Sequence, residues 1–472
     1  MTREKDLAKN TAILFIGTLC TKIAQFLLLP LYTGILTTAE YGSVELANTI
    51  VSLLLPLIGL QIEYGIFRFL IDVRNDKTKT NEMVSTAFFF MLFCDIVCII
   101  GFLCVSPFIT YEFKWLVLIT LIANSLSSFV LQTARGLGDN KSVAVSGFLS
   151  AVIAIIANII FLVGLHFRAE GLLYGNIIGY LASVLYLFFK LGLFKKISTK
   201  YFNRKLLKRL LKYSIPVMLN SISWWIFSSS DRVIISWFLG LSATGILSIV
   251  YKFSSISIIV YNIFYMSLAE SVALHVDDED FPQFFHKAFT AISHLFTNAN
   301  SLIIVAMPIV FSILVHSSYN EAFNLIPIAI IAAVLQVYVG LFSTIYTAKK
   351  QTSSIAVTST IAAIVNIVID LILVNFVGIY AAVISTVASY AVLAIYRYIH
   401  VNKKFIKVRI DKKMALNFII AICICSGIYY IDNIYVKIIN ILLACCCAIY
   451  FNMNNMKFIL NIVKEKTKKE KK

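Results

Sequence analysis

The sequence predicts an all-α integral membrane protein of about fourteen transmembrane helices, arranged as two six-helix lobes and two further C-terminal helices. Three observations predict it. Of the 472 residues, 60% are hydrophobic and only 14% charged, where a soluble domain carries about 25% charged residues. The apolar residues gather into runs of about 20, the length that spans a bilayer as a helix. Lysine and arginine fall almost wholly into alternate gaps between those runs, which is the pattern that orients a membrane protein.

The runs lie at about 10–35, 44–67, 83–105, 115–133, 143–165, 171–189, 213–238, 243–268, 288–315, 322–346, 354–376, 379–396, 414–431 and 434–452. The first follows MTREKDLAKN. It is too long for a signal-peptide core and no small-residue cleavage site follows, so it is expected to stay in the mature chain. With the N-terminus in the cytoplasm, only Lys114, Arg168 and Lys437 fall in outer gaps, and Lys22, Arg232 and Lys252 fall inside runs. The rest of the 41 basic residues lie in inner gaps. This places both termini in the cytoplasm. The net charge of +17 is thereby accounted for by orientation, and nucleic acid is excluded as a partner.

The outer gaps are short, at most about ten residues by this reading, which leaves no external loop to hold a polymerase or ligase centre. The longest inner connection is 190–212. Its end places Leu206, Leu207, Leu210 and Leu211 on one helical face and Lys205, Lys208, Arg209 and Lys212 around the other, as in a helix lying on an anionic leaflet. LTTAEYG at 36–42 matches LGLSATG at 239–245, and GLLYGNIIGYLAS at 171–183 matches GIYAAVISTVASY at 378–390. Spans 1–6 and 7–12 therefore read as two copies in the same orientation. The expected division is an N-terminal lobe 1–189, a basic linker 190–212, a second lobe 213–400, an added pair 401–456 and a basic tail 457–472.

The nine cysteines all sit in apolar runs without metal-site spacing and read as packing residues. Charges within the spans are more informative. Each costs about 2.5–3.5 kcal/mol at a helix centre, so each needs a partner or a wet cavity. The set is Lys22, Glu63, Asp95, Asp231, Arg232, Lys252 and Asp370, with Arg68 closing span 2. At 1.5 Å per residue, Asp231 is about 10 Å, Lys252 about 13 Å and Lys22 about 20 Å below the outer ends of their spans. His294 reads as a packed histidine. Pro30, Pro56 and Pro216 stand where they can kink spans 1, 2 and 7.

The stretch 213–255 resembles the seventh and eighth helices of the polysaccharide flippases of the MATE-like superfamily. Pro216, Asp231–Arg232, Gly240, Gly245 and Tyr251–Lys252 carry the resemblance. Tyr41–Gly42, GLQIEYGIFRF at 59–69 ending near Arg68, and QTARGLGDN at 132–140 with Arg135 extend it into the first half. The resemblance implies a V-shaped bundle of twelve helices with two added. It also implies alternating access for an undecaprenyl-diphosphate-linked oligosaccharide. In that arrangement spans 1, 2, 7 and 8 line a central cavity.

Lys22, Arg68, Asp231, Arg232 and Lys252 are then the expected substrate contacts, the cationic ones forming a ladder suited to a diphosphate. Trp224, Trp225, Tyr251, Tyr261 and Tyr265 could stack on sugar rings, or pack helices as aromatics commonly do. Glu63, Asp95 and Asp370 are candidates for a coupling H+ or Na+ or for structural hydrogen bonding. No cofactor is expected, and no Gly-rich nucleotide loop appears. The expected partners are the lipid-linked oligosaccharide, membrane lipid and other polysaccharide assembly proteins. A flippase for the peptidoglycan precursor, a cation-coupled MATE drug antiporter and a membrane glycosyl polymerase are the rival readings.

Overall fold

The computed structural model describes residues 26–470. Every regular element among them is helical. Two compact units divide the chain, Met1–Gly245 and Ile246–Lys472. Each is taken by itself.

The first unit opens on α1 (Leu29–Ile35), with Pro30 in its first turn, where a missing N–H costs nothing. Span 1 otherwise lies outside the described residues, and Lys22 with it. α2 (Thr38–Ile58) starts on a capping box between Thr37 and Glu40. Pro56 falls in its last turn, and the chain then breaks: Leu60 and Gln61 both take positive φ before α3 (Ile62–Val73) begins. The run 44–67, expected as one span, is thus two helices. α4 (Lys77–Val105), α5 (Lys114–Gly136), α6 (Asn140–Ile159) and α7 (Ala169–Lys190) follow. Asp76 and Asp139 cap α4 and α6 through the backbone N–H groups of Lys79 and Ser142.

The core of this unit gathers on α3: Ile62, Ile66 and Leu70 pack with Val84, Phe129 and Leu187. The outer face of α4 presents Phe93, Val97 and Ile100, each more than half exposed, as befits a lipid-facing row. The connection after α7 is pinned back onto α4. Ser85 donates to the Lys196 carbonyl at 2.9 Å and accepts from Ser198 N–H at 3.1 Å, and Thr86 accepts from Asn203 N–H at 3.0 Å.

α9 (Arg204–Leu239) is continuous for 36 residues through Pro216; the short turn α8 (Leu193–Lys196) precedes it. The basic stretch at 204–212 is therefore not a separate surface helix but the first turns of the seventh span. Leu210 is fully buried and Leu206, Leu207 and Leu211 pack on the same cluster as α3. Protein, not lipid, covers the leucine face. At the other end α2 crosses the first turn of α10 (Leu241–His275) at two glycines. A Cβ on Gly42 would overlap the Leu241 carbonyl, one on Gly245 would overlap the Thr38 carbonyl, and Thr38 and Ser242 share a hydroxyl hydrogen bond of 2.6 Å. These glycines are the ones that the two sequence copies align. Backbones can approach this closely only without side chains.

The second unit continues α10 and adds α11 (Phe281–Leu314), α12 (Glu321–Ala348), α13 (Thr352–Val377) and α14 (Tyr380–Lys404). Its core is aromatic, with Phe285, Phe289, Phe342 and Tyr346 buried together. The C-terminal pair comprises α15 (Lys412–Phe418), a π turn and α16 (Cys425–Tyr429) in one run, and α17 (Ile434–Glu470) in the other. It is tied to α11 and α12: Asn417 bonds His294 at 3.0 Å, Phe451 stacks on that ring, and Tyr429 donates to the Phe323 carbonyl. His294 is a packed histidine.

Twelve helices among the described residues are long and apolar enough to cross a membrane. Two of the fourteen expected spans are missing from that count. The first lies outside the described residues. The seventh, α9, is long enough but too polar, with serines at 221, 223, 228, 229 and 230 beside Asp231 and Arg232. The chain is a multi-pass, all-α membrane protein.

Candidate functional site

α9 is the anomaly of the first unit. A bilayer gives a polar helix no partners, so its serines and charges require protein or water beside them. Part of that partnership is visible. Ser221 donates to the Gln61 side chain at 3.1 Å, so the left-handed break after α2 holds a polar contact to α9. One turn on, the indole N–H of Trp225 donates to Ser52 Oγ at 2.9 Å and reaches the Thr49 carbonyl at 3.2 Å. Trp225 is half-buried in that junction. Trp224, on the other side, is 47% exposed and meets Phe227 edge-on. Of the two tryptophans, Trp224 has the free ring face that stacking on a sugar needs.

Six residues past Trp225, Asp231 is 3% exposed and Arg232 half-buried. Adjacent residues on a helix point about 100° apart, so these two face different neighbours. Arg68 stands at the far end of α3, half-exposed, its Nη1 3.0 Å from Asp72 one turn on. A surface pair of this kind is worth about 0–1 kcal/mol, so the guanidinium is readily released to another anion.

Glu63, in the first turn of α3, and Asp95, midway along α4, are 7% and 2% exposed and lie within electrostatic reach of one another. Ser125 on α5 donates to Asp95 Oδ1 at 3.1 Å; Oδ2 is buried with no hydrogen bond. Among the described residues neither carboxyl has a basic partner. Asp95, buried with one hydroxyl donor, is undersatisfied as a carboxylate.

In the second unit Tyr251 and Lys252 are half-buried on α10, and Asp370 is fully buried on α13, one turn beyond Asn366. Asn366 bonds Ser385 at 3.2 Å on α14. Tyr261 packs against Gly340 and Phe296 within the aromatic core, with Tyr265 beside it.

Sequence reading missed Arg397. Ending span 12 at 396 put it in an inner loop, whereas α14 runs on to Lys404 and buries it to 1% exposure. Its fork donates to the Val339 carbonyl and Ser343 on α12, and to Thr358 at 3.2 Å and Ser359 at 3.1 Å on α13. The guanidinium lies 5.8 Å from the Tyr346 ring. The signal available in the sequence was a lone arginine within a run of apolar and small residues.

Comparisons with known proteins agree with this architecture. The family described as polysaccharide biosynthesis protein matches residues 7–269. No curated protein matches the chain. Among solved structures, the lipid II flippase MurJ in an inward closed conformation overlays with a TM-score of 0.72 at 16% identity, covering 95% of this chain and 100% of that one. An inward-facing multidrug resistance MATE family transporter of the MOP superfamily gives 0.69 at 13% identity, over 81% and 95%. A MOP superfamily transporter from Pyrococcus furiosus, described as having a binding pocket of reverse polarity, gives 0.56 at 14%, over 84% and 95%. At these identities the structures speak for the fold, which is that of the MATE-like transporters. With more than half of its length matched, the chain belongs to the polysaccharide biosynthesis protein family, on a MATE-like membrane fold.

Proposed function

We propose that the chain is a flippase that carries an undecaprenyl-diphosphate-linked oligosaccharide, the unit of an O-antigen, capsule or exopolysaccharide, from the inner to the outer leaflet of a bacterial inner membrane by alternating access. The observation that carries this reading is α9: a helix of spanning length with a serine-rich face and the Asp231–Arg232 pair, in a chain whose other described long helices are apolar. Such a face is stable in a membrane only beside protein or a wet path, and a sugar-diphosphate headgroup needs a wet, cation-bearing path.

Lys22, Arg68, Arg232 and Lys252 are assigned to the diphosphate, Arg by paired hydrogen bonds and Lys as a point charge. Asp231 orients the basic groups or bonds sugar hydroxyls. Trp224 and Tyr251 are assigned to the sugar. Glu63 and Asp95 are assigned to the coupling H+ or Na+, since both are buried and near one another and Asp95 Oδ2 lacks a partner. Asp370 is the second-unit candidate for the same role. No step makes or breaks a covalent bond, so the chain acts as a transporter and its cargo leaves unchanged.

Complementation tests the reading. In a strain lacking the chain, wild type restores surface glycan, while Arg232→Ala and Lys252→Ala insert normally and do not. Normal glycan in both variants removes them from the cargo path. A peptidoglycan-precursor flippase would instead be betrayed by lysis on depletion.

A further inference from the structure

Four arginines surround the last two turns of α3. Arg68 and Arg74 belong to the helix end itself. Arg135, from the end of α5, lies over the Phe67 ring at 4.9 Å, and Arg209, from the start of α9, lies over the Phe69 ring at 4.7 Å. All four are exposed. Stacking on an aromatic face fixes the plane of a guanidinium, and Arg135 is further held by an Nη1 hydrogen bond to Gln132 at 3.2 Å, which leaves its remaining N–H groups preorganised for phosphate oxygens.

Among the described residues one carboxylate answers this charge, and only at Arg68. Asp72 pairs with Arg68. Asp76 caps α4 and pairs with Lys79, Asp139 caps α6, and Glu82 bonds Asn203. The chain from 190 to 212 adds nine basic residues and no acidic one. Of these, Lys205, Lys208, Arg209 and Lys212 are exposed because the leucines between them turn onto the core. The basic face runs for about 12 Å along the first turns of α9 and on to the end of α3. That is wider than one headgroup and matches a charged sheet. Arg135 closes α5, an apolar span of membrane-crossing length, so the face sits where hydrocarbon gives way to headgroups.

We propose that this arginine collar, with the basic face of α9, docks the phosphate groups of anionic phospholipids in the leaflet. Because the leucines are committed to protein, the attachment is electrostatic contact with headgroups rather than insertion of an amphipathic helix. Arg68 lies at the border with the proposed cargo path; Arg74, Arg135, Arg209 and the α9 lysines carry the docking, which does not depend on which cargo the chain carries.

The test uses the full chain purified in neutral detergent and titrated with phosphatidylglycerol, phosphatidylcholine or inorganic phosphate, with the unfolding temperature as readout. Phosphatidylglycerol should raise that temperature saturably and phosphatidylcholine should not. In Arg135→Gln/Arg209→Gln the apparent affinity should fall about fivefold for each guanidinium removed. If that pair does not accumulate, Lys205→Gln/Lys208→Gln carries the same expectation. The proposal is overturned if phosphatidylglycerol has no effect, if the variants respond like wild type, or if inorganic phosphate reproduces the shift and so marks a free-anion site.

Discussion

The two units bury charge of opposite sign and treat it differently. In the first, Asp95 receives one described side-chain donor, Ser125, on Oδ1, and its Oδ2 is left without any, with Glu63 buried nearby. In the second, Arg397 is buried as deeply, yet four oxygens on two neighbouring helices receive its fork. Among the described residues neither centre has a counter-charge. Each leaves one buried atom without a partner, Asp95 Oδ2 and Arg397 Nε, so the number of bonds made, not burial, separates them. A guanidinium with five N–H groups can be held by neutral oxygens, and it binds α14 to α12 and α13 at once. A carboxylate needs donors, and an apolar helix pair offers few. Arg397 therefore reads as a rivet, and the Glu63–Asp95 pair is where the proposed coupling cation or proton is to be sought.

The comparison can be broken from either side. Arg397→Ala should have the largest effect, a loss of about 3–5 kcal/mol of stability from the cavity and the lost ties, read by unfolding in mild detergent. Arg397→Lys should lose about 1–3 kcal/mol, because a point charge cannot reach all four acceptors. If both variants unfold like wild type, the rivet is not one. Asp95→Asn should behave in the opposite way. Its stability should stay within about 1 kcal/mol of wild type, or rise, because a buried charge has gone. Glycan export should fall and lose its dependence on the ion gradient. An export rate equal to wild type would make the pair structural. Ser125→Ala should cost about 1 kcal/mol, and sharpens how much the lone donor holds.

Much of the fold was legible because bilayer thickness and the placing of basic residues leave few alternatives. The failures have local causes. The run 44–67 carried enough apolar residues for one span, but Pro56 and the positive φ at Leu60 and Gln61 divide it. The leucines at 206–211 have the period of a surface helix, and that period cannot say whether lipid or protein covers them. Arg397 looked like a loop residue because a hydropathy window ends where charge begins, while the helix continues on hydrogen bonds to side chains far away in sequence. The aligned glycines at 42 and 245 were visible as a repeat, but that they touch one another is a tertiary fact. Of the site, residue types were readable and partnerships were not. Nothing in the local sequence shows that Trp225 spends its N–H on α2 while Trp224 keeps an open face.

Movement of cargo between leaflets tests the account most directly. In cells lacking the chain, the fraction of lipid-linked oligosaccharide accessible to a lectin confined to the periplasm is measured, then measured again after the chain is restored. The account predicts accumulation in an inaccessible form without the chain and access on its return. An accessible fraction that is the same with and without the chain would contradict it.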